Sequence, residues 1–300
     1  MNDGGRTRND LDLRRLRMFV TVADSPSLRV AADDLYITQQ AVSSAIKELE
    51  RNLGVELFSR SRRSLTLTAA GEALYHGALP LLAGGDQLTA KMRLMGTDRP
   101  IPFVIGHTPD LAPSEVFTII EPVVLSDPAV PITVRPVFAD RIHGELLHGE
   151  IDLALRRGVQ SPPGLAGTVA AHHQLHLAVR TDHPLAQHDR ITLRDLAEHD
   201  IVMSEAEEDT EYTQILISTC QGAGFEPRVV PSTLRGTPPH TGVITHPDAC
   251  VFVTNEPGWI YGHRIRVIEF DDPPIAPVQA LWLPHTSSEI RRSILDSVVL

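Results

Sequence analysis

Between Thr38 and Gly54 the chain reads TQQAVSSAIKELERNLG, with Val42, Ile46, Leu49 and Leu53 at i, i+4, i+7 and i+11. That spacing lines one face of an α-helix and fits no strand, whose side chains alternate with period two. Thr38 is a good N-cap, and Gly54 is a natural stop past the last turn. A helix with a single apolar stripe must bury it, so neighbouring elements have to cover these residues. Leu16, Phe19, Val20 and Ala23 supply a matching stripe at i, i+3, i+4 and i+7. A short helix capped by Ser27 runs through LRVAADDLY, and its Ala31 and Ala32 are small enough to let another helix approach closely. The first part of the chain is therefore expected to be three short helices around one core.

The outward face of the third helix carries Gln39, Gln40, Ser43, Ser44 and Lys47, with almost no charge before Lys47. A merely solvated face is usually laced with Glu and Lys. Gln can bond bidentately to the adenine edge, Ser to any base edge, and Lys neutralises phosphate. With Thr38 at the cap, these residues form a candidate DNA-reading surface. Just beyond, LFSRSRRSLTLTAAG holds Arg60, Arg62 and Arg63 at a tight turn between two β-like pieces, with no acidic residue from Leu57 to Gly71. A basic hairpin beside a reading helix can straddle the phosphate backbone. Charge follows the same division. Residues 1–95 carry 13 Lys or Arg against 11 Asp or Glu, whereas residues 96–300 carry 14 against 27. The net −11 of the whole chain conceals a nearly neutral, locally basic N-terminal part.

From about Ala70 to Met95, Leu74, Ala78, Leu81, Gly85, Leu88, Met92 and Met95 follow a 4-3-4-3 spacing. This is a heptad seam of the kind that pairs with a partner helix. Pro80 and Gly84-Gly85 interrupt it, and a kink or break is expected there. After Pro100 and Pro102 the pattern alternates between apolar runs (FVIG, PITVRPVF, IDLAL) and helix-like runs (SEVFTIIEPVVL, RIHGELLHGE). A second set follows from LHLAVR through TEYTQILISTCQGAGF, PRVVP, ACVFVT, IRVIEF and VQALWL to a C-terminal helix. Such alternation indicates α/β units, largely parallel, with ligands bound beyond strand ends between two lobes.

The stretch LRRLRMFVTVADSPSLRVAADDLYITQQAVSSAIKELERNLGVELFSRSRRSLTLTAAGEAL resembles the LysR-type transcriptional regulators. It keeps their spacing of alanine pair, recognition helix, LE..LGV.LF.R and LT.AG across residues 13–74. It departs from them at Gln40, where Pro is usual, at Ser44, where Arg is common, and at PSL in place of GSF. The resemblance implies an N-terminal winged helix-turn-helix over 1–69, a dimerising linker helix over 70–98 and an effector domain over 99–300. That last domain would be α/β, two-lobed and like a periplasmic binding protein, with lobe I at about 99–170 and 269–300 and lobe II at about 171–268. It implies a homodimer or homotetramer paired through Leu74, Ala78, Leu81, Leu88 and Met92, with double-stranded DNA and RNA polymerase as partners. The effector would be met by Thr108, Pro109 and Asp110, then Ser204 and Glu205, then Thr233, Thr254 and Asn255. Glu205, Glu207, Glu208 and Asp209 crowd one helix start and Asp110 lies at another wall, which favours a neutral or cationic effector.

No catalytic motif, metal site or cofactor is expected. His172, His173 and His176 lie in or beside a strand without clustered cysteines, and Cys220 and Cys250 lack a basic cluster that would activate a thiol. No run of 18 apolar residues or secretory segment is present, so the chain reads as cytoplasmic with no membrane partner. The competing reading is a small-molecule binding protein whose N-terminal helices make protein contacts only. The acid-free arginine cluster favours DNA.

Overall fold

The computed structural model describes residues 12–60, 65–95, 101–203 and 210–297. Three helices open the chain, α1 Leu13–Asp24, α2 Leu28–Asp34 and α3 Gln39–Leu53. The expected caps hold them: the Ser27 hydroxyl accepts from the Val30 amide and Thr38 from the Ala41 amide. Gly54 closes α3 in the left-handed region at φ 71°. The strands β1 Phe58–Arg60 and β2 Leu65–Leu67 form an antiparallel wing. Leu16, Phe19, Ala31, Ala32, Val42 and Ile46 are buried in one core, where Phe19 and Phe58 meet at 5.4 Å between ring centroids.

Helix α4, Ala69–Met95, leaves the wing, and its start explains the glycine of TAAG. A Cβ at Gly71 would lie 2.1 Å from the Leu57 carbonyl oxygen. Backbone cannot yield as a side-chain tip can, so Gly71→Ala is expected to cost about 2–3 kcal/mol through overpacking. Urea unfolding checks this; a midpoint unchanged from wild type would count against it. The break expected at Pro80 does not occur, because α4 runs through Pro80 as one helix of 27 residues. Pro80 itself is buried, beside buried Ala78 and Leu82. Gly84 approaches Leu283 and Thr286, while Ala83 packs on a C-terminal core. Packing on two sides offsets the local helix penalty of Pro and Gly.

The C-terminal part is two sheets flanked by helices. The first contains β3 Phe103–His107, β4 Ile132–Pro136, β5 Leu153–Arg157 and β6 Ala166–Gln174, with α5 Pro113–Ser126 and α6 Ala139–His148 as crossovers. The second contains β7 His176–Arg180, β8 Arg190–Ile191, β9 Asp200–Met203, β10 Arg228–Pro231, β11 Ala249–Val253, β12 Gly258–Ile260 and β13 Ile265–Phe270. Helix α7 Glu211–Gly222 joins β9 to β10, and α8 Gly242–Thr245 precedes β11. Strand β14 Ile275–Trp282 then returns to the first sheet, in the order β4-β3-β5-β14-β6, and α9 Glu289–Asp296 packs behind it against α5. The chain thus changes lobes at Leu175 and again between Phe270 and Ile275, a few residues later than the expected 170 and 268. His172, His173 and Gln174 belong to the first sheet because β6 pairs along all of β14. The two passages are tied where the Leu175 amide donates to the Pro274 carbonyl at 2.8 Å.

Candidate functional site

Two surfaces of this fold carry functional chemistry. On α3, Thr38, Gln39, Gln40, Ser44 and Lys47 are exposed and Ser43 is half-buried, while Val42, Ile46 and Leu49 face inward. The first turn of α3 has no acidic residue, so its free amides present the positive end of the helix dipole. Tyr36, in the turn ahead of α3, is 95% exposed and adopts φ 56°. Sequence reasoning passed over it, since a tyrosine in a tight turn looks like core; its signal is its position two residues before the cap. Arg60 lies in β1, paired with Leu65, and Arg62 and Arg63 fall outside the described residues. The wing is fixed to α3 by Glu50, whose carboxylate accepts from the Leu57 and Phe58 amides at 2.9 and 3.3 Å. Helix α3 and the wing are therefore tied directly to each other.

The seam on α4 divides in two. Ala78 is buried in the protomer's own N-terminal core, and Leu74 and Leu81 pack against that core. Ala78 is thus covered within the protomer and Leu74 and Leu81 are half-buried against the same core, a use of the seam that the heptad spacing alone could not reveal. Leu88, Met92 and Met95 are 60%, 51% and 65% exposed, so an uncovered apolar strip runs only along the C-terminal half. The other side of α4 rests on the first lobe, where the Gln87 side-chain amide donates to the Leu146 carbonyl at 2.8 Å. Gly149, in the left-handed region, leaves just enough room for Gln87.

Between the lobes lies a pocket of about 630 Å³, open solvent at its mouth included. Pro109, Asp110 and Phe138 form one wall; Met203, Tyr212 and Leu216 lie in the other, with Val251 and Phe252 from β11. Thr210, Thr213 and the Arg235–Thr237 segment complete it. Of the residues named from sequence, Pro109 and Asp110 line the pocket. Thr108 is buried beside Asp110, and Thr233 is exposed elsewhere. Thr254 is half-buried outside the lining, and Asn255 is engaged by His240 at 3.0 Å and by His176 through its carbonyl. Ser204 and Glu205 lie outside the described residues. Phe138 and Tyr212 at helix starts and Leu216 in the middle of α7 were missed because apolar and aromatic residues on helices read as core.

A buried charge cluster backs the pocket. Arg157 donates to Glu115 at 2.5 Å, with side chains 1% and 10% exposed. His173 also bonds Glu115, and the Ala112 amide donates to its other oxygen at 2.7 Å. Burial alone would raise the Glu115 pKa, but the His173 hydrogen bond and the Arg157 guanidinium hold it down at about 2. Tyr212, from the second lobe, lies under the Arg157 guanidinium at 6.0 Å, and burial pushes its phenol well up. Beside it Glu211 clasps the first lobe, pairing with Arg156 at 2.8 Å and accepting from the Val159 and Gln160 amides. Asp110 is different. Burial raises its carboxyl above the usual range despite the nearby Thr108 hydroxyl and Arg157, and no ion pair involves it among the described residues.

Other candidates are chemically quiet. Burial pushes the Cys220 thiol up to about 11 and Cys250 higher still, which suppresses the reactive thiolate. Among the described residues no group of three His, Cys, Asp or Glu could hold a metal, and no helix is long and apolar enough to cross a membrane.

Residues 13–72 match the family described as bacterial regulatory helix-turn-helix protein, lysR family, and residues 102–235 match the LysR substrate binding domain. The transcriptional regulator AlsR of Bacillus subtilis is 31% identical over 225 residues, which cover 73% of this chain and 73% of that protein. BenM of Acinetobacter baylyi is 29% identical over 220 residues, 72% of each chain. In fold, the chain is similar to CbnR, a LysR family transcriptional regulator, with TM-score 0.55 and 20% identity over 96% of this chain and all of that one. Full-length CbnR complexed with its target DNA matches equally, at TM-score 0.55 and 19% identity.

Proposed function

The chain belongs to the LysR family of helix-turn-helix regulators, and from that premise we propose that α3 reads operator DNA through Gln39, Gln40, Ser43, Ser44 and Lys47. It is a DNA-binding transcriptional regulator with a substrate-binding domain, not an enzyme. The observation that carries the assignment of residues is the exposed, uncharged, acid-free first half of α3 set rigidly beside the wing. Thr38, Tyr36 and the wing arginines Arg60, Arg62 and Arg63 then serve the phosphates. The cleft receives a small effector, with Pro109 and Asp110 in its wall. Two copies join through Leu88 and Met92, which would set two recognition helices about one DNA turn or a multiple of it apart. RNA polymerase is the further partner such a regulator would meet.

The test is binding of the full-length protein to genomic fragments at increasing salt. Lys47→Ala is expected to weaken binding evenly across sequences and make the slope of log K against log salt shallower by about one. Gln40→Ala should instead leave the slope and relax preference at one base pair, at a cost of about 1–3 kcal/mol. Wild-type slopes and preferences in both variants would remove α3 from the reading surface.

A further inference from the structure

We propose that the cleft takes a small molecule with an apolar body and one protonated nitrogen, its cation seated on the Asp110 carboxylate. This deepens the cleft reading above and rests on it.

The walls set the body of the ligand. Phe138, Met203, Tyr212, Leu216, Val251 and Phe252 present rings, a thioether and branched aliphatics to the space. Such a surface gains from burying a compact apolar group. The hydroxyls of Thr210, Thr213 and Thr237 and the phenol of Tyr212 are neutral polar groups of lining residues.

Charge sets the rest. Among the described residues, the other carboxylates deep in this region already have their cations. Glu115 holds Arg157 and His173, and Glu211 holds Arg156. Arg157 is further occupied by His173 at 3.2 Å and stands over the Tyr212 ring. Asp110 lines the cleft and, among the described residues, has no cation within ion-pair distance. A carboxylate effector would bring like charge beside it in a place poor in water, which is costly. A neutral effector would leave the Asp110 charge without an ion-pair partner under a new apolar lid, offset only by the more distant Arg157. A protonated amine cancels it, and the attraction is stronger there than in bulk water. Among the described residues, the one guanidinium on the lining, Arg235, is exposed and sits over the Phe138 ring at 5.3 Å, at the rim where solvent screens it.

A matched pair of probes decides the matter: 2-phenylethylamine and 3-phenylpropanoate carry one apolar body with opposite charges. Calorimetry and thermal shift on the full-length protein are expected to show the amine binding at least tenfold tighter than the acid, an order-of-magnitude figure for one partly buried ion pair. Asp110→Asn should abolish that preference while raising the melting temperature of the free protein, since it removes a carboxylate that burial disfavours and that only the more distant Arg157 offsets. A merely structural aspartate would lower it. Thr237→Trp fills the cleft from its rim and should remove binding of either probe. Tighter binding of the acid, a preference that survives Asp110→Asn, or no binding of either at millimolar concentration overturns the proposal. If binding ignores Asp110→Asn but is lost in Thr237→Trp, the cleft reading stands and the ligand class falls. If binding ignores Thr237→Trp as well, both fall.

Discussion

Replacing Arg157 with Leu is expected to destabilise the effector domain by about 3–5 kcal/mol, the usual cost of removing one partner of a buried ion pair. Arg157 is 1% exposed in its side chain and Glu115 10%, so water cannot replace the lost guanidinium. Glu115 would keep only His173 and the Ala112 amide. The pH dependence gives the prediction a second signature. The folded-state pKa of Glu115 lies below its ordinary 4.5, at about 2, so the stability it contributes is present above 4.5 and is lost as pH falls towards 2. That difference corresponds to roughly 3 kcal/mol. Urea midpoints of the wild type should therefore fall across this window, and those of Arg157→Leu should fall much less. The double variant Arg157→Leu with Glu115→Leu should recover much of the loss, because no buried charge is then orphaned. A single variant within 1 kcal/mol of wild type, or one with an unchanged acid slope, would show that the pair is structurally idle.

This pair also marks the limit of what the chain reveals before it folds. Local periodicity located α1, α2 and α3, their caps at Ser27 and Thr38 and the stop at Gly54, because each of these depends on residues within a few positions. The alternation of apolar and helix-like runs gave the two lobes for the same reason. Glu115 and Arg157, by contrast, are 42 residues apart, and nothing near either announces the other. Pro80 misled in the opposite sense. Its local penalty is real, but Pro80 is buried and α4 continues through it as one helix. The heptad spacing likewise recorded that Ala78 is apolar and inward, without saying inward to what. Half of the pocket was hidden because Phe138, Tyr212 and Leu216 look like any other core residues until two lobes face each other across them.

Phe19→Ala is expected to be as damaging, but in the other domain. Phe19 is 0% exposed and stands between α1 and the wing residue Phe58, in the core that also holds Val42 and Ile46 of the recognition helix. Truncation leaves a cavity that backbone-linked neighbours cannot close, at about 3–5 kcal/mol. That is a large part of the 5–15 kcal/mol that ordinarily holds a domain folded, and a small domain lies near the lower end. Recognition helix and wing depend on this core for their mutual placement, so specific DNA binding should be lost. The C-terminal lobes have separate cores and should melt as in wild type. Calorimetry of the full chain should accordingly show one transition moved down and another unmoved. Phe19→Leu, which fills most of the volume, should restore binding to within a few fold. If Phe19→Ala bound operator normally, the wing would not be positioned through this core, and the Glu50 hydrogen bonds to Leu57 and Phe58 would have to hold it alone.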